Sequence, residues 1–200
     1  MDKITIFIIL LLATIILALI FLSLELFVGT NMLEPKKSIE FVTDVVENAR
    51  GECTIKVEEK IVNGDSMSPL IKDGQTINAL LGYYECNEIK RNDLVLCVYA
   101  GNENSLLKII KAIPGDKFNL QQIDNGWHIL INNEIIKNSM DEPYLISGSA
   151  YKMLSLYEKD YKETIPENAY LLLGDQISGT LDSTRFGLVD RNNIIAKVEI

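Results

Sequence analysis

Residues Ile4 to Val28, ITIFIILLLATIILALIFLSLELFV, run for 25 positions with one charge, Glu25, near the far end. A helix of that length crosses a hydrocarbon core of about 30 Å, at a rise of about 1.5 Å per residue. A removable export signal would have a shorter apolar region and a small-residue cleavage site. Here the bulky ELFVGTNMLEPKK follows instead. Residues 1–28 are therefore predicted to be an uncleaved single-span anchor in a lipid bilayer, which leaves one globular core for the rest of the chain. Lys36 and Lys37 after the span set against Lys3 before it would, by charge bias alone, keep the C-terminal part cytoplasmic.

After the span, residues 29–52 read as a linker and a short amphipathic helix. Ile39, Val42, Val45, Val46 and Ala49 recur at near-helical spacing from Ser38 to Arg50, with Ser38 as its cap. From Cys53 the pattern becomes short apolar or alternating runs bounded by Gly, Asn, Asp and Pro: TIKVEEKIV, QTINALLG, DLVLCVYA, SLLKIIKAI, WHILIN, AYLLLGD and NIIAKVEI. These predict a mainly β, antiparallel domain over 53–200. The stretch 141–168, rich in Tyr and charge, reads as an excursion from the sheet.

The formal net charge of −9, without a basic block, argues against nucleic acid as a partner. Cys53, Cys86 and Cys97 lie too far apart for a zinc or redox pair. Their odd number cannot be fully paired within one chain, and Cys86 and Cys97 read as buried thiols. No metal or cofactor is expected.

Within NGDSMSPLIKDG, Ser66 stands in a small polar run between Gly64 and Pro69. As a nucleophile it would need a base, and the single histidine, His128, reads as an ordinary strand residue. A lysine can serve if it is neutral. An amine with a pKa near 10.4 is neutral in only about one molecule in a few thousand at pH 7, so the base must be desolvated. Lys108, between Leu106, Leu107, Ile109 and Ile110, fits. Strand alternation places it on the face of Leu106 and Ile110, and puts Lys111 on the opposite, solvated face.

Three segments together resemble the bacterial type I signal peptidases, membrane-anchored serine proteases with a Ser/Lys dyad. GDSMSP resembles the nucleophile box, with the nucleophile on Ser66. KIIKAIPGD resembles the lysine box, with the catalytic lysine six residues before Pro114, at Lys108. IPENAYLLLGDQISGTLDSTRFGLV resembles the final box through Gly174, Asp175, Asp182, Ser183 and Gly187. The resemblance implies a coiled antiparallel β-domain with a smaller inserted region, an extracytoplasmic position at the plasma membrane that outweighs the charge bias, and preproteins as substrates. It assigns to Thr180 the hydroxyl that orients the lysine. From the residues themselves, Asp182 and Arg185 read as a supporting ion pair and the soft Met67 as an apolar pocket wall. The sequence departs from the family pattern at Ile109, Ala112, Gln176 and Thr184, with Arg185 displaced by one position. Gly64 stands where some relatives carry an additional oxyanion-binding serine. Two alternatives stay open: a pilin-processing peptidase of conjugative transfer with the same fold, and a membrane-anchored scaffold without catalysis.

Overall fold

The computed structural model describes residues 46–47, 53–99 and 104–200, all within a compact unit spanning Thr43–Ile200. The anchor expected over 1–28 lies outside the described residues. Among the described residues no helix is long and apolar enough to cross a membrane.

Eight antiparallel strands form the larger sheet. They are β1 (Val46–Glu47), β2 (Thr54–Ile61), β3 (Thr76–Leu81), β4 (Leu94–Cys97), β5 (Leu106–Ala112), β10 (Ala169–Leu173), β11 (Val189–Asp190) and β12 (Ile194–Glu199). Their spatial order is β1, β2, β3, β12, β4, β5, β10, β11, so the C-terminal strand is threaded between β3 and β4. All seven runs predicted as strands are strands. In β5 the residues from Leu107 to Ile110 are buried without alternation. Leu107 and Ile109 join Met67, Ile71 and Ile77 in one apolar cluster, while Ile110 joins Val95, Cys97 and Leu172 in another. A strand covered on both faces reads as a continuous apolar run, and this one carries Lys108 in its middle.

Between β5 and β10 the chain builds a second, four-stranded sheet: β6 (Phe118–Ile123), β7 (Gly126–Ile131), β8 (Glu134–Ile135) and β9 (Leu145–Ile146). The turn Ile113–Asp116 leads into it. Pro114 sets φ at its second position, Gly115 takes φ +85° at its third, and the Asp116 amide donates to the Ile113 carbonyl at 3.1 Å. Helix α2 (Gly148–Asp160), which follows the short α1 (Tyr83–Cys86), then packs Leu154 into the small sheet's core, where Tyr151 stacks on Trp127 with centroids 4.2 Å apart. The insertion thus begins near Phe118, well before Asp141. Its first strand was illegible because KFNLQQID is mostly polar and only Phe118 and Leu120 are buried in it.

Two other expectations are corrected. Val46 and Glu47 do not continue a helix; they pair antiparallel with Ile55 and Thr54. β-branched Val46 favours extended backbone, and the edge of β2 supplies the hydrogen-bond partners. Cys86 is not a free thiol but is joined to Cys53 by a disulfide, with Cα atoms 6.2 Å apart. The β2–β3 register, with Lys56 opposite Leu81, brings the start of β2 beside α1, which follows β3 directly. Only Cys97 remains a free, buried thiol among the described cysteines.

Candidate active site

The segment from Asn63 to Gly74 is a closed loop between β2 and β3. The Val62 amide donates to the Gln75 carbonyl and the Gly74 amide to the Val62 carbonyl, both at 2.9 Å, which pins the loop's neck. Gly64 enters at φ +92°, a conformation that suits glycine, and its amide donates to Asp73 Oδ1 at 2.7 Å. Beyond Ser66 the chain makes a helical turn, with the Ile71 amide donating to the Met67 carbonyl at 2.8 Å. Met67 and Ile71 are fully buried, so the apolar side of the turn anchors the loop while Ser66 stays half-buried at its start.

Strand β5 delivers the amine. Lys108 is 2 % exposed, and its Nζ lies 2.8 Å from Ser66 Oγ and donates to the Leu107 carbonyl at 2.7 Å. Burial holds its pKa below the usual 10.5; the Asp182 carboxylate and Cys97 oppose that shift without overcoming it. A neutral amine has two N–H donors and one lone pair. With a donor committed to Leu107, the lone pair is available to a hydroxyl proton on Ser66.

The segment after β10 closes the site. Asp182 is 2 % exposed and caps helix α3 (Ser183–Phe186). Its Oδ1 accepts from the Thr184 amide at 2.9 Å and the Thr184 hydroxyl at 2.7 Å, and its Oδ2 accepts from the Gly174 amide at 3.1 Å and from the Thr180 hydroxyl. The Thr180 hydroxyl is therefore directed at Asp182, not at Lys108. Arg185 reaches Asp182 only through its backbone, its amide donating to the Asp182 carbonyl at 2.8 Å. Its side chain is exposed, and no Asp182–Arg185 ion pair forms among the described residues. The expected ion pair fails because the cap turns the carboxylate inward.

A cleft of about 460 Å³ opens beside the pair, lined by Ser66, Lys108 and the apolar Met67, Ile77, Leu96 and Leu107. Nearby, Lys111 is half-buried, its Nζ donating to the Lys137 carbonyl at 2.9 Å. The expected alternation broke there because Lys111 is the extra residue of a bulge. Ala112 pairs with Leu171 and Ile110 with Leu172, which leaves Lys111 unpaired between them. His128 sits half-buried in β7 with Nδ1 3.0 Å from the Tyr144 carbonyl, away from Ser66's contacts.

Two residues that meet this site from the inserted sheet carry no sequence signal. Tyr144 is 2 % exposed and its hydroxyl donates to the Gly174 carbonyl at 2.6 Å. Ser139 donates to Asp175 from both its amide, at 2.8 Å, and its hydroxyl, at 2.6 Å. Neither belongs to a motif or a periodic run.

Antiparallel sheets that bring a serine hydroxyl against a buried amine, beside an apolar cleft, have the groups a serine hydrolase without a histidine base requires. The family model for signal peptidase, peptidase S26, matches residues 51–200, and the chain belongs to that family. Signal peptidase IB of Staphylococcus aureus (strain COL) is 28% identical over 151 residues, covering 68% of this chain and 73% of its own. Signal peptidase I of Bacillus caldolyticus is 27% identical over 149 residues, covering 70% and 75%. The crystal structure of a signal peptidase I from Enterococcus faecalis aligns with a TM-score of 0.40 at 21% identity, covering 56% of this chain and 97% of that one.

Proposed function

We propose that this chain is a membrane-anchored serine endopeptidase that removes signal peptides from exported preproteins, with Ser66 as nucleophile and Lys108 as general base. The observation that carries the reading is the 2.8 Å contact between Ser66 Oγ and a Lys108 amine whose burial favours its neutral form. Membership of the signal peptidase family supports the substrate class.

In this mechanism Ser66 Oγ attacks the scissile carbonyl as its proton passes to Lys108 Nζ. The Lys108 ammonium then protonates the departing amine and leaves an acyl-enzyme. Lys108, neutral again, takes a proton from the water that hydrolyses the ester, and returns it to Ser66 Oγ. The Ser66 amide is the donor for the oxyanion. Gly64 offers no side-chain hydroxyl to assist, so a backbone amide carries that charge. Asp182 steadies the transient ammonium, and Thr180 acts on Lys108 through Asp182 by fixing the carboxylate's direction. The cleft receives the residues before the cut, with Met67 as an apolar wall, while the substrate backbone lies extended along a strand edge.

The anchor read over 1–28 would hold the domain at the plasma membrane, facing outward. The Cys53–Cys86 disulfide supports that side, because such bonds persist in oxidising compartments.

The test is cleavage of a preprotein bearing an Ala-x-Ala site by wild type, Ser66→Ala and Lys108→Ala, read by N-terminal sequencing. Cleavage after the second Ala by wild type alone is expected. Undiminished cleavage by Ser66→Ala would sink the nucleophile assignment.

A further inference from the structure

Gly174, Asp175 and Gln176 follow directly on the end of β10 and lie against the nucleophile loop. The Gln176 amide donates to the Ser66 carbonyl at 3.2 Å, and Asp175 Oδ2 accepts from the Leu70 amide at 3.2 Å. Gly174 permits this approach, since a Cβ there would stand 2.4 Å from the Ser66 carbonyl oxygen. These contacts grip the turn at both ends, at Ser66 and four residues beyond it.

Gly174 and Asp175 are also held from behind by the inserted sheet. Tyr144, one residue before β9, binds the Gly174 carbonyl through its hydroxyl, and the contact is buried. Ser139, in the segment between β8 and β9, gives two donors to the Asp175 carboxylate, which is fully buried. A buried carboxylate must be satisfied by fixed donors, so Asp175 ties the Ser139 segment to the Leu70 turn. Lys111 adds to the brace, with its Nζ 5.5 Å from the centre of the Tyr144 ring.

Resting on the assignment of Ser66 as nucleophile, we infer that Tyr144 and Ser139 are positioning residues. They set the place of Ser66 relative to Lys108 through the strut Gly174–Gln176, without touching substrate. The inserted sheet is thus part of the catalytic apparatus by way of two hydrogen-bonding side chains. Small displacements of a nucleophile are costly to the rate because attack requires an aligned approach, whereas binding in the cleft does not depend on it.

The test combines kinetics with amide hydrogen exchange on the full-length protein, at a temperature where melting curves show each variant folded. Tyr144→Phe and Ser139→Ala should each lower kcat roughly 5- to 10-fold, the scale of one lost hydrogen bond, with KM unchanged. Ser139→Thr, which keeps the hydroxyl, should restore kcat. Both damaging variants should speed exchange at the Leu70 and Gln176 amides. Wild-type protection at those two amides, or a loss confined to KM, overturns the inference and leaves the nucleophile assignment standing. Cleavage by Ser66→Ala would instead overturn that assignment, while the exchange result would still show whether the strut exists.

Discussion

Lys108 carries a local conflict, a titratable amine 2 % exposed with Leu106, Leu107, Ile109 and Ile110 as its chain neighbours. Burial depresses its folded-state pKa below 10.5, so between that depressed value and 10.5 the unfolded chain binds more protons than the folded one. Stability therefore rises with pH across that interval, and the cost of burying Lys108 is greatest below it. Lys108→Met keeps the volume and removes the titration. It should abolish cleavage, raise the thermal midpoint at neutral pH and flatten its pH dependence, all readable in one set of melts. In the wild type, kcat/KM should fall tenfold per pH unit on the acid side of the folded Lys108 pKa, since only the free amine can take the Ser66 proton. Cys97, pushed up to about 11 chiefly by burial, should resist thiol reagents at pH 8 in the native protein and react on unfolding.

Elements act on the site mainly through what they leave room for. Strand β10 ends at Leu173, and the next residue must let two other segments approach: a Cβ on Gly174 would meet the Ser66 carbonyl at 2.4 Å and Thr180 Cγ2 at 2.8 Å. Gly174→Ala should cost about 1–3 kcal/mol by overpacking and, if Ser66 is the nucleophile as proposed, reduce kcat more than tenfold, because the strained contact is the Ser66 backbone. The disulfide acts on the β2–β3 hairpin in a different way. It closes a loop of sequence separation 33 that contains the whole Asn63–Gly74 loop carrying Ser66. In the chain-entropy account, removing it with Cys53→Ser and Cys86→Ser should cost about 3–4 kcal/mol, lowering the thermal midpoint by about 10 °C. A double variant with an unchanged midpoint would mean the other restraints on α1, such as the Arg191 bond to the Tyr84 carbonyl, already suffice.

At the scale of the whole molecule, the disulfide also tests the outward position proposed for the domain. In intact cells, Cys53 and Cys86 should resist alkylation until a reductant is added. Ready labelling of unfolded extracts without reductant would place the domain in a reducing compartment. Seven strands were legible because their apolar runs are bounded by Gly, Asn, Asp and Pro. The pairing of Ser66 with Lys108 was legible because only a lysine within apolar sequence can be held neutral. Local signals of this kind are written along the chain itself. Strand β6 was hidden by its polar composition, the bulge at Lys111 by its dependence on β10, and the Cys53–Cys86 bond by its dependence on the β2–β3 register. The direction of the Thr180 hydroxyl and the reach of Ser139 and Tyr144 to the Gly174–Asp175 segment were equally beyond local reading. The sequence by itself determined where strands could form and which groups could do chemistry, because burial pattern and side-chain type are local properties. Only the tertiary structure decided which hydrogen-bonding groups meet, because partners distant in sequence are chosen by register, bulges and packing.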